Sequence, residues 1–213
     1  MKNIVLLFIG ISTMAFGQKN IYQSEKFETL SKTHKTLAIL PFLATLNLDD
    51  DNRPGKSRRK ALEEQEGYAV QDALETYFLK RKKRKRFSVE FQDIKNTNAI
   101  LAQNNITIEN IDIYTTKELC TILGVDGIIS GNLTLRTLIS KGVPKETFDL
   151  LAFFRGKSDY GRIAIKISDG KTGKLLWKYE KTITRKSGRN TRAIIDAMMR
   201  KSSRKFPYDK EKR

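Results

Sequence analysis

The segment Ile163–Ile183 reads Ile-Ala-Ile-Lys-Ile-Ser-Asp-Gly-Lys-Thr-Gly-Lys-Leu-Leu-Trp-Lys-Tyr-Glu-Lys-Thr-Ile, and it leaves little freedom over what it can form. Ile163, Ile165 and Ile167 alternate with Ala164, Lys166 and Ser168, the period-two pattern of a half-buried strand. Asp169–Gly173 is turn chemistry. Leu175–Ile183 is the returning strand, with Leu175, Trp177, Tyr179 and Lys181 on one face. The rest of the chain must cover the apolar face of this hairpin. One cysteine, Cys120, rules out an intramolecular disulfide, so the fold relies on its core.

The remaining pattern supplies that cover. Leu37–Phe42 is a continuous apolar run ending around Pro41, a buried strand. Asn47–Ser57 is a polar loop. Arg58–Lys80 places Leu62, Ala69, Val70, Ala73, Leu74, Tyr77 and Phe78 at helical spacing. Glu63, Glu64 and Glu66 lie towards its start and cations at its end, an order that complements the helix dipole. Phe87, Val89 and Phe91 alternate as a strand, and Asp93–Gln103 is a short helix. Thr115 and Glu118 have capping-box spacing, and Gly124 is a helix stop. Ile128–Leu138 is a further strand, Lys141–Tyr160 an irregular insertion, and Ala193–Phe206 a final helix. The expected fold is a single α/β domain, a mixed sheet covered by helices in the order β-α-β-α-α-β-β-β-α. Its expected bounds are 35–208, after a flexible lead-in over 18–34 and before a tail over 209–213.

The first seventeen residues have another purpose. Lys2 precedes an apolar run, Ile4–Ile11, and Ala15-Phe16-Gly17 supplies small residues at a cleavage position. This is the layout of a secretory signal peptide over 1–17, cut before Gln18. The run is far short of the roughly 20 residues that span a bilayer. The expected product is periplasmic or secreted, has no transmembrane segment and carries no cysteine at its start for lipid attachment.

The formal net charge of +17 is concentrated. The tract Lys80, Arg81, Lys82, Lys83, Arg84, Lys85, Arg86 contributes +7, and residues 171–213 contribute +11. Such clusters suit anionic partners, nucleic acid among them. Export moves the expected ligand towards anionic envelope polymers, lipid headgroups or an acidic protein. The tract also stands at a helix end, where it can stay solvated without binding anything. In the insertion, Leu150, Leu151, Phe153 and Phe154 form an apolar patch that either packs on the core or docks a partner.

Catalytic patterns are lacking. His34 is the one histidine, and nothing in its neighbourhood orients it. Cys120 sits among Leu119, Ile122 and Leu123 as a small core residue. Gly170-Lys171-Thr172 lacks the earlier glycine and following helix of a phosphate loop, and Ser130 is one place late for a nucleophile elbow. Asp49–Asp51 reads as a solvated acidic loop. No cofactor and no metal are implied.

Four stretches carry a family resemblance: Lys35–Phe42, Leu123–Leu135, Ile163–Glu180 and Arg204–Lys210. Leu123, Gly124, Asp126, Ile128, Ile129 and Gly131 form one motif, and Asp169, Thr172, Gly173, Leu175, Leu176 and Trp177 another. In these the chain resembles the α/β domain shared by the curli-secretion protein CsgG, the penicillin-binding-protein activator LpoB and the N-terminal domain of TolB. The resemblance implies a non-catalytic envelope protein that binds other proteins, in assembly, secretion or regulation of peptidoglycan synthesis. It leaves a homo-oligomer open. The missing lipid-attachment cysteine departs from CsgG and LpoB, and the insertion is too short for a pore-forming hairpin. An envelope hydrolase and a basic nucleic-acid-binding protein are the alternatives.

Overall fold

In the computed structural model the alternating segments become neighbouring strands and the helical segments close over them. Residues 21–48, 54–82, 87–142, 159–202 and 206–209 are described. The elements are β1 (Ile21–Gln23), α1 (Phe27–Ser31), β2 (Thr36–Ile39), β3 (Leu43–Leu46), α2 (Lys56–Lys82), β4 (Glu90–Phe91), α3 (Ile94–Gln103), α4 (Thr116–Leu123), β5 (Gly127–Leu135), β6 (Asp159–Asp169), β7 (Leu175–Thr184) and α5 (Thr191–Ser202). The sheet runs β1-β7-β6-β5-β2-β4, with β3 also beside β5. β5, β6, β7 and β1 pair antiparallel, whereas β2, β3 and β4 join in parallel. The expected mixed α/β sheet is therefore what forms.

The hairpin forms as expected, with one correction: a bulge beside Ile167 and Ser168 pairs Leu175 with Ser168, so Leu176 rather than Leu175 joins Trp177 in the core. Ile163, Ile165, Ile167, Trp177 and Ile183 are fully buried on one face. Against them pack Val70, Leu74 and Phe78 of α2 and Ile194, Ile195, Met198 and Met199 of α5. A smaller core lies on the other face at one corner. There Leu101, Leu119, Cys120 and Leu123 of α3 and α4 cover Ala38, Leu40 and Ile128. Thr115 and Glu118 make the anticipated capping box, and Gly124 ends α4 in the left-handed conformation at φ 66°.

Pro41 splits one long extended run into β2 and β3. Both lie along β5, Leu37–Ile39 beside Gly127–Ile129 and Leu43–Leu46 beside Asn132–Leu135. At the break, where proline has no N–H to give, the Phe42 N–H turns to the Gly67 carbonyl of α2 at 3.3 Å. The Phe42 ring then lies on Gly131, where an added Cβ would stand 2.2 Å from the ring and 2.0 Å from the Ala164 carbonyl. Gly131 is thus the socket that lets Phe42 reach the core.

Several expectations need correction. The polar lead-in is ordered from Ile21: β1 pairs with Trp177–Tyr179, and Phe27 is buried with its ring edge-on to Tyr208 at 5.2 Å. Few apolar residues suffice there, because each meets a partner far along the chain. Helix α2 starts at Lys56, so its first turn is basic and holds no acidic residue. The favourable dipole arrangement exists only at its C-terminal end. Glu63 and Glu66 serve tertiary contacts instead, Glu63 accepting from the Leu46 N–H at 2.9 Å and buried Glu66 accepting from Ser140. The strand expected over 87–91 reduces to Glu90–Phe91, with Phe87 making a single bridge to Asp209. The strand expected to reach Leu138 ends at Leu135, and Asp159 and Tyr160 belong to β6 rather than to the insertion.

Replacing Gly131 by Ala should cost about 3 kcal/mol, because the new methyl displaces the Phe42 ring. Gly55, with nothing within 4 Å of an added Cβ, should tolerate Ala within about 0.5 kcal/mol. Urea unfolding of the two variants measures the contrast.

Candidate functional site

His34 stands where the ordered lead-in enters β2. Three distant segments meet there. Its Nε2 lies 2.8 Å from Oδ1 of Asp169, at the end of β6, and its Nδ1 lies 2.6 Å from the hydroxyl of Tyr208. The second oxygen of Asp169 accepts the Thr172 N–H at 2.7 Å and the Thr172 hydroxyl, so the Asp169–Gly173 turn aims the carboxylate. The Tyr208 carbonyl accepts the Ser88 N–H at 2.9 Å. The His34 and Asp169 side chains are 2% and 3% exposed. The expectation that nothing orients His34 is therefore corrected: its partners are remote in sequence, and no local pattern announces them.

Burial opposes the charge of Asp169, yet hydrogen bonds from Thr172 and His34 outweigh it and hold the carboxyl below the usual carboxylate range. In a neutral ring, an ionised Asp169 takes the proton on Nε2, and Nδ1 then accepts from the Tyr208 hydroxyl. Burial, with Asp169 and Asp126 adding to it, pushes the Tyr208 phenol well up. The same causes, burial first, push the Cys120 thiol up to about 12, so it stays protonated and unreactive at neutral pH. Cys120 is the core residue its surroundings suggested.

A cavity of about 340 Å³ lies beside this cluster, lined in part by His34, Cys120, Asp126, Asp169 and Lys171. Its carboxylates are already engaged. Asp126 accepts the N–H groups of Lys35 at 2.7 Å and Thr36 at 2.9 Å, pinning the start of β2 to the start of β5. To act as a general base, His34 would have to offer a ring nitrogen to a substrate proton. Both nitrogens of His34 are bonded within the protein, so the ring ties three chain segments together. Among the described residues, no three His, Cys, Asp or Glu side chains group as metal ligands.

The basic tract divides. Lys80 is exposed on the last turn of α2. Arg81 belongs to the fold: its guanidinium reaches Asp209 at 2.9 Å and lies over the Tyr77 ring at 5.6 Å. Asp209, expected in a tail, is buried. Lys82 ends the helix, and Lys83, Arg84, Lys85 and Arg86 lie outside the described residues, as do Leu150, Leu151, Phe153, Phe154, Asp49–Asp51 and the leader. Among the described residues no helix is long and apolar enough to cross a membrane.

No family model matches this chain, and no curated protein matches it. Solved structures with a similar arrangement include lipoprotein GNA1162 from Neisseria meningitidis, 13% identical, with a TM-score of 0.43 over 70% of this chain and 81% of that one. The C-terminal domain of LpoB from Salmonella enterica is 5% identical, with a TM-score of 0.37 over 75% of this chain and 93% of that one. A PelC dodecamer subunit from Paraburkholderia phytofirmans is 10% identical, with a TM-score of 0.34 over 85% and 91% of the two chains. These likenesses concern the fold alone.

Asp169→Asn should cost about 3 kcal/mol at neutral pH, since it strips the buried ring N–H of its charged acceptor. The sign of the pH dependence follows from the lowered carboxyl. Its contribution is full above the unfolded value of 3.8 and lost as pH falls through the lower folded value. Denaturant melts from neutral pH downwards should show wild type and variant converging only in that acid window.

Proposed function

We propose that this chain is exported by its first seventeen residues and works without catalysis, by binding protein partners in cell-envelope assembly, secretion or peptidoglycan synthesis. The observation that carries the reading is the closure of His34. The one histidine has both ring nitrogens bonded within the fold, and the one cysteine has a thiol held protonated. The side chains best suited to acid–base or nucleophilic work are thus committed to structure. The leader supplies the location, and the motif resemblance supplies the mode of action. Lys80 and the cations that follow Arg81 remain candidates for contact with an anionic surface, and Leu150, Leu151, Phe153 and Phe154 for docking a partner.

Fractionation of cells producing the full chain, with N-terminal sequencing, tests the location. A mature protein starting at Gln18 outside the cytoplasm is the expected result. An uncleaved cytoplasmic chain overturns the reading and revives nucleic-acid binding. In the exported protein, changing Lys82, Lys83, Arg84 and Lys85 to Ala should weaken salt-sensitive association and leave the melting temperature unchanged.

A further inference from the structure

Among the described residues the helices pack on one face of the sheet through α2 and α5 and on the other at the α3–α4 corner. Away from that corner, on the same face, strand pairing sets side chains in rows. Tyr22, Lys178, Lys166 and Ser130 stand in one row across β1, β7, β6 and β5. Glu180, Ala164 and Asn132 form the next row, and Thr182, Arg162 and Thr134 the one after. Asn132, Thr134, Arg162 and Thr182 are exposed, and Tyr22 is 50% exposed. At strand spacing the first row extends over about 14 Å.

The charges on this face are arranged against stability. Lys166 and Lys178 are directly opposed on paired strands, where like charges destabilise a sheet. Three cations, Arg162, Lys166 and Lys178, surround one carboxylate. Lys178 holds Glu180 at 2.7 Å, and its hydrogen bond, with the fields of Lys178, Arg162 and Lys166, keeps that carboxyl below its usual range. The patch therefore keeps an excess of positive charge. The rest of it is hydroxyl, amide and one aromatic ring. It has no cluster of large apolar side chains of the kind that anchors a protein interface or enters a bilayer.

We propose that this polar face of β1, β7, β6 and β5 binds an anionic polysaccharide of the cell envelope. Lys166 and Arg162 pair with the acid groups of successive sugars, and Lys178, bonded to Glu180, adds its field. Ser130, Asn132, Thr134 and Thr182 exchange hydrogen bonds with hydroxyls, and Tyr22 offers its ring to a sugar face. A ligand acid beside Lys166 adds a second anion against the repulsion between Lys166 and Lys178 that Glu180 only partly offsets. The polymer's location rests on the export reading, but the binding face is a property of the fold.

Calorimetric titration of the chain from Gln18 to Arg213 with polygalacturonate tests this, with dextran and polyglutamate as comparisons. Polygalacturonate should bind and dextran should not. The pair Arg162→Gln and Lys166→Gln should weaken binding at least about tenfold at unchanged melting temperature, and Tyr22→Ala about threefold. Alanines at Lys83, Arg84 and Lys85 should weaken it less than the Gln pair does. Full binding by the Gln pair overturns the proposal, as does polyglutamate binding as tightly as polygalacturonate. If the Gln pair unfolds the chain, Thr182→Arg, which adds charge to the same face, should tighten binding, and failure to do so overturns it. An exported chain that does not bind removes this inference alone. A chain that binds but stays uncleaved in the cytoplasm removes the export reading alone.

Discussion

The two hydrogen bonds of the His34 ring fix the ends of this chain to its middle. Asp169 lies 135 residues away and Tyr208 lies 174 residues away, and the imidazole holds both from a buried position. A buried ring nitrogen without a partner is expensive, so the cluster is stable only when all its members are present. Tyr208 brings the C-terminal segment onto Phe27, Phe206 packs among Phe78, Phe87 and Trp177, and Asp209 meets Arg81. The lead-in, the end of the long helix and the β6–β7 turn are thereby joined at one corner of the sheet.

How much of this could be read beforehand depends on how far apart the interacting residues lie. The β6–β7 hairpin, the Thr115–Glu118 capping box and the Gly124 stop were all legible, because each is specified within a few residues. The edge strand β1, the helix at Phe27 and the burial of Asp209 were not. Each stretch is polar enough to read as loose, and each is ordered by partners more than a hundred residues away. The break at Pro41 was visible as an end to a strand. Its continuation as β3 depended on Gly67 and Gly131 making room for Phe42, which no local pattern reveals. The site reading missed His34 for the same reason. Its one available signal was the Phe-Pro-Tyr-Asp run near the C-terminus, whose aromatic and acidic residues turn out to face Trp177, His34 and Arg81.

Charge makes a related point about function. The longest basic run drew attention to one stretch, yet Arg81 within it is spent on Asp209 and Tyr77. Arg162, Lys166 and Lys178 are scattered in sequence, and only strand register gathers them onto one exposed face. Among the described residues the sheet buries one side against α2 and α5 and carries these cations on the other, away from the small core under α3 and α4. That division of labour, reactive side chains inside and cations outside, is the basis of the non-catalytic reading.

Because the chain holds one histidine, its ring can be observed without assignment. Nitrogen-detected NMR of the purified protein at neutral pH, with exchange of the ring proton against water, tests the central claim directly. The account predicts a single tautomer with the proton on Nε2, an accepting Nδ1 and slow exchange. A ring averaging between tautomers with a rapidly exchanging proton would contradict it and return His34 to the pool of available catalytic groups.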